Sequence, residues 1–251
     1  MNPAEFSNIA KTERDFWWYR GMRRITFRML APYLEGRQIA RVLEIGAGTG
    51  YFSKILEQRY GWRMFPLDLG REGLQHGLRL GVQRMVQADM RSLPYGDGSF
   101  DAVFSMDVLV HVPRGEERGP LQEMVRALRP GGLFVLRVSA LDWLRSRHSE
   151  FAYERQRFTK ARLLRCVRPL GVRVLRCTYA NSLLLPVAVA KFRIWEPLMR
   201  RPPASGVQPI APWLNWLLEA PLRLEAAWIG AGRGFPIGQS LFLIGEKQIQ
   251  D

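Results

Sequence analysis

The feature that most constrains this chain is Val42-Leu43-Glu44-Ile45-Gly46-Ala47-Gly48-Thr49-Gly50. The run from Arg41 to Ile45 is β-branched and aliphatic, which predicts a short buried strand. Three glycines follow at alternate positions. From Tyr51 to Tyr60 the residues Phe52, Ile55, Leu56 and Tyr60 recur at threes and fours, which predicts a helix. Strand, glycine turn and helix open a Rossmann-like nucleotide site. Glycine suits such a turn because a ligand presses on bare backbone and because some turn positions need positive φ. The helix start beyond it offers unpaired N–H groups.

A dinucleotide site reads G-x-G-x-x-G. Here the spacing is Gly46-x-Gly48-x-Gly50 with Glu44 two residues ahead, which disfavours a dehydrogenase. In this acidic-x-Gly-x-Gly-x-Gly arrangement the sequence resembles the class I S-adenosylmethionine (SAM)-dependent methyltransferases, whose first motif it matches at every position. Three later segments carry the same resemblance. Leu93-Pro94-Tyr95-Gly96-Asp97-Gly98-Ser99-Phe100-Asp101 is similar to the LP-F-D-SFD signature of the ubiquinone-biosynthesis-like group (methyltransferase type 11). Met106 to Val112 resembles that group's DVLEHV segment, with Val110 where Glu is usual, and Leu128-Arg129-Pro130-Gly131-Gly132 resembles its LRPGG turn. The implied fold is α/β: a Rossmann-like seven-stranded class I methyltransferase sheet whose last strand inserts beside the fifth. The implied cofactor is SAM, with S-adenosyl-L-homocysteine as product.

Composition bounds the rest. With 251 residues and 47% hydrophobic content, one domain with decorations is expected. Met1 to Glu13 is mostly polar and reads as no secretory signal. Only Cys166 and Cys177 are present, so neither a disulfide framework nor a zinc cluster is expected, and a reducing cytoplasm is the simplest home. A net charge of +14 attracts polyanions, whether nucleic acid, anionic lipid or phosphorylated substrate. Arginine spread over a solvated surface explains it equally well.

Residues 1–40 hold the aromatic cluster Phe16-Trp17-Trp18-Tyr19-Arg20 and a helical segment with Ile25, Phe27, Met29 and Leu30. They form either a helix laid over the sheet or a helical lid on the cofactor, with Tyr19 or Arg20 near the SAM carboxylate. A similar Trp-Trp-Tyr-Arg segment marks a methyltransferase subgroup associated with glycan and secondary metabolism, which favours the lid. The SAM-binding core is 41–180. Its expected strands beyond the first are Trp62–Leu67, Val82–Gln87, Ala102–Ser105, Leu133–Val138, Val172–Thr178 and Ser240–Glu246, with helices over Gly73–Leu80, Leu121–Leu128 and Ala161–Val167.

Asp68 ends the second strand about 20 residues beyond the glycines, where a carboxylate takes ribose hydroxyls. The resemblance adds Leu69 against adenine, Asp89 accepting from the adenine amino group, and Met90 lending its backbone N–H. It places Met106 at the rim, beside Glu44, Gly46, Ala47, Gly48 and Gly50. His111 and His148 follow strands four and five and are candidate general bases, because histidine titrates near neutrality. His148 is preferred, with Glu150 as an orienting carboxylate. The subgroup's His-Asp-Glu and later Gly-His are altered here: Ser149 replaces Asp, and Tyr153-Glu154 replaces Gly-His.

Residues 181–236 are too long for a hairpin loop and read as a helical insertion, broken at Arg200-Arg201-Pro202-Pro203; 237–251 completes the core. The insertion is a cap on the substrate cleft, a homodimer face, or a peripheral membrane contact through Trp, Leu and Arg. Neither of its apolar segments reaches the ~20 residues of a membrane span. The expected activity is methyl transfer to a small-molecule, glycan or lipid-linked acceptor, with oxygen favoured over carbon or nitrogen. A non-catalytic SAM-binding scaffold is the competing class. Specific nucleic-acid methylation is disfavoured, because Ser105-Met106-Asp107 stands where an Asn/Asp-Pro-Pro-aromatic motif would.

Overall fold

The computed structural model describes residues 1–199 and 202–249. The glycine turn sits where the sequence predicts, behind strand β1 (Arg41–Ile45), whose last four residues are buried. β1 pairs in parallel with β2 (Arg63–Asp68) on one side and β4 (Phe100–Met106) on the other. β3 (Val86–Gln87), β5 (Leu128–Ser139), β6 (Val172–Ala180) and β7 (Ser240–Lys247) complete a seven-stranded sheet of order β3-β2-β1-β4-β5-β7-β6. β7 lies between β5 and β6 and runs antiparallel to both. The chain reverses direction across the sheet between β1 and β4. Such a switch point opens a crevice at the carboxyl ends of the strands.

Two expected elements differ. β3 is only two residues long, because Arg84 adopts a left-handed backbone (φ +57°) just before it. The LRPGG segment is no separate turn but an irregularity within β5. Pairing with β4 slips from Phe100↔Leu128 to Ala102↔Leu133, with Gly131 at φ +74° inside the slip.

Helices cover both sheet faces. On one face α5 (Arg118–Ala127) and α7 (Lys160–Val167) bury Leu121, Met124, Leu163 and Val167 against Val103, Phe134 and Leu136. On the other, α2 (Trp17–Leu34), α3 (Tyr51–Tyr60) and α10 (Pro212–Gly230) bury Met22, Ile25, Met29, Leu56, Leu222 and Ile229 against Phe104, Val135 and Phe242. The remaining helices are α1 (Pro3–Thr12), α4 (Arg71–Arg79), α6 (Arg147–Phe151), α8 (Leu185–Val189) and α9 (Glu196–Met199), with a π-helical segment at Ala190–Trp195 joining the last two.

Residues 1–40 therefore do more than cover the cavity. α2 is a core layer of the sheet, since Met22, Ile25 and Leu30 are fully buried there. α1, the turn after it and the first turns of α2 also reach the cavity beside the glycine loop, through Phe6, Glu13, Tyr19 and Arg23. The insertion divides in the same way, because α10 packs along α2 while the π-helical segment faces the crevice. Arg200 and Arg201 of the expected break, and residues 250 and 251 of the final unit, lie outside the described residues.

Candidate functional site

The carboxyl ends of the parallel strands open into one cavity of about 1150 Å³. Its floor is the glycine turn. Gly46 and Gly48 both have positive φ, yet each position demands glycine differently. A Cβ on Gly46 would stand 2.1 Å from Val108 Cγ2, whereas one on Gly48 would meet nothing within 4 Å. Gly46 permits close packing of the β1 and β4 loops. Gly48 leaves bare backbone toward the cavity.

Three buried carboxylates surround this turn. Asp68 accepts from the Gly48 and Gly70 backbone N–H groups, both at 2.7 Å, and so clamps the β1 and β2 loops together. Burial raises its pKa against the pull of those donors. Glu44 accepts from Ser53 Oγ beneath the loop, and burial pushes it up to about 7. Glu13 accepts from Thr49 Oγ1 at 2.6 Å and is likewise pushed by burial to about 7. Glu13 was not anticipated, and nothing in its local sequence marks it.

Leu69, Asp89, Met90 and Met106 all line the cavity beside Ala47. Leu69 is 63% exposed, so it presents apolar surface there without a partner of its own. Asp89 is held by Arg91, whose Nη2 lies 2.6 Å from Oδ2 and whose hydrogen bonds lower the carboxyl pKa. Gly50 caps α3 in a left-handed conformation.

Tyr19 lines the cavity, and burial keeps its phenol protonated. Arg20 does not line it. It turns away to Glu219 on α10, Nε–Oε2 3.0 Å, and is corrected as a cofactor residue. Arg23 lines the cavity instead. One helical turn beyond Tyr19, it donates to the Glu13 and Arg14 carbonyls and lies 5.5 Å from the Tyr51 ring centroid. Spacing by four on α2 is the signal that could have found it. Across the cavity Arg137 pairs with Asp107, Nη2–Oδ2 2.7 Å, and lies over Trp18. Asp107 Oδ1 is buried without a hydrogen-bond donor.

His111 and His148 both line the same cavity. His111 Nδ1 lies 3.2 Å from the Tyr153 carbonyl oxygen. A carbonyl only accepts, so Nδ1 carries the proton and Nε2 keeps a free lone pair. His148 is the reverse: its Nδ1 accepts from the Gly206 backbone N–H at 3.0 Å, which places the proton of the neutral ring on Nε2. Burial lowers both pKa values and keeps both rings neutral. Glu150 is exposed and does not line the cavity. The carboxylate beside His148 is Glu5 of α1, 3.7 Å away. The insertion closes this end with Lys191, Phe192, Glu196 and 204–207.

Comparison with known proteins agrees with this fold. Residues 43–136 match the methyltransferase domain family. The sarcosine/dimethylglycine N-methyltransferase of Halorhodospira halochloris is 34% identical over 101 residues, 38% of this chain and 36% of that protein. The malonyl-acyl-carrier-protein O-methyltransferase 1 of Coxiella burnetii is 33% identical over 118 residues, 44% of this chain and 38% of that protein. The chain thus spans well under half the length of these relatives. Among solved structures, the chain bound to the Haloferax volcanii Trm112 methyltransferase activator superposes with TM-score 0.59 at 20% identity, over 98% of both chains. Residues 43–136 are a class I SAM-dependent methyltransferase domain, and the seven-stranded sheet carries that fold across the chain.

Proposed function

We propose that this protein is a SAM-dependent methyltransferase of a small-molecule, glycan or lipid-linked acceptor, with oxygen as the favoured accepting atom. The observation that carries the reading is His111, neutral and with Nε2 free, in the same cavity as the glycine turn.

The residues present fit SAM. Gly48 offers bare backbone, and each Asp68 oxygen, holding one N–H, can accept a second bond from a ribose hydroxyl. Asp107 Oδ1 lacks a donor, which an amino group would supply. Tyr19 and Arg23 provide donors for a carboxylate, and Leu69 and Met90 provide apolar surface for a base. When bound, SAM supplies a methyl group already activated on a sulfonium sulfur.

The remaining work falls to this chain: to hold an acceptor in line, exclude water and remove a proton. α1, the π-helical segment with Glu196, and residues 204–207 enclose the cavity. An amine can attack with its own lone pair, but an alcohol must lose a proton, and His111 Nε2 would take it. Tyr153 holds the ring by its carbonyl. His148 instead pins Gly206 and so fixes the cap. This reverses the preference read from sequence.

A labelled-methyl assay over a panel of hydroxyl acceptors tests the reading. His111→Ala should lower kcat roughly a hundredfold, the low end of general-base effects, with SAM affinity intact. His148→Ala should act mainly on KM. Because burial lowers the His111 pKa, kcat should hold as pH falls to the ordinary histidine range and drop only below it. A His111→Ala enzyme within a fewfold of wild type removes the base and leaves positioning alone.

A further inference from the structure

The acidic side chains of α10 point inward. Glu219 and Glu225 are 1% and 0% exposed, while Trp213, Trp216, Leu217, Leu224 and Trp228 are 43–68% exposed. At 100° per residue these five, with Ala220, Pro221 and Ala227, fall on one face, and that face carries no charged or hydrogen-bonding side chain apart from the indole N–H groups. An ordinary surface helix shows the opposite polarity. The buried acids are also held inside: Glu219 takes Arg20, Arg24 and Arg223, and Glu225 Oε1 accepts from the Ser182 and Leu183 backbone N–H groups at 2.7 Å, its Oε2 being buried without a partner. The sequence thus holds the helix in this orientation, and among the described residues its outer face is left open apart from Trp228, which meets Arg233 and Phe235.

A cationic border runs beside that face. Arg20, Arg24 and Arg28 recur every four residues on α2, which lies alongside α10, and three arginines share the one Glu219 carboxylate. Arg28 packs at Gly230, and Arg233 stacks on Trp228, 4.3 Å from its ring centroid.

We propose that the outer face of α10 docks on the surface of an anionic lipid bilayer. Indole and leucine side chains enter the boundary between headgroups and acyl chains, and the guanidinium border meets lipid phosphate. No helix among the described residues is long and apolar enough to cross a membrane, so the contact is with one leaflet. A second copy of this chain is a poorer occupant, because it would bring the same arginine border face to face. The net charge of +14 adds long-range attraction to the same surface.

The test is co-sedimentation of the full chain with vesicles of phosphatidylglycerol and phosphatidylcholine in equal parts, against vesicles of phosphatidylcholine alone. Binding to the mixed vesicles is expected, with a blue shift of tryptophan emission and partial retention at high salt. The variant Trp213→Ser/Trp216→Ser/Leu224→Gln should lose roughly tenfold or more of the partitioning, with melting temperature and SAM affinity as in wild type. If that variant does not fold, Arg28→Glu/Arg233→Glu should lose binding to the mixed vesicles. Three results overturn the proposal: no binding to either vesicle, binding unchanged in the folded variants, or a vesicle-free dimer that the tryptophan variant dissociates.

Discussion

Tyr153 shows how a single residue can carry strain and function together. Its φ of +58° is a conformation that a bulky side chain rarely adopts. The backbone thereby aims its carbonyl at His111 Nδ1. Glycine takes that conformation freely. The Tyr153 side chain is 58% exposed, so little packing is lost with it. Tyr153→Gly should therefore raise stability by about 1 kcal/mol, seen as a rise in Tm of a few degrees, and keep the carbonyl on His111. A lower Tm would mean that the tyrosine ring contributes more than its backbone costs. The histidines also mark the limit of what sequence reveals at this scale. Both were legible as candidates. Which nitrogen of each is free depends on partners 42 and 58 residues away. Arg23 was missed because the aromatic cluster was read by adjacency; on a helix, 19 and 23 share one face and 20 and 24 the other.

At the scale of elements, local periodicity located the helices but not their roles. The apolar residues of α2 suit a lid or a core layer equally, and only the packing of α10 decides for the core. That packing depends on Gly21. A Cβ there would stand 2.2 Å from Leu222 Cδ1 and 2.7 Å from Leu222 Cβ. Leu222 is fully buried and has no room to retreat. Gly21→Ala should therefore cost about 1–3 kcal/mol through overpacking, despite the higher helix propensity of alanine. Denaturant unfolding checks this, and a stability gain would mean that the two helices separate without penalty. α10 could be recognised as a helix from its spacing, but its inverted polarity could not, because Glu219 and Glu225 find their partners only in the folded protein.

For the whole molecule, the sheet was the most legible part. The glycine turn, the Asp68 spacing and the apolar strands each predicted the same α/β core, and the strand order agrees with them. The cavity itself was less legible, since α1, α2, the strand ends and the insertion reach it from distant parts of the chain. This cavity should hold SAM through the glycine turn and Asp68. Asp68 is at once the clamp between two loops and an acceptor toward the cavity, and removing such a buried acceptor costs about 1–3 kcal/mol. Calorimetric titration of the full chain with SAM is the most direct measurement. One site per chain is expected, with affinity reduced about tenfold or more in a folded Asp68→Ala variant. No heat of binding in the wild type, or an unchanged dissociation constant in the variant, would contradict it.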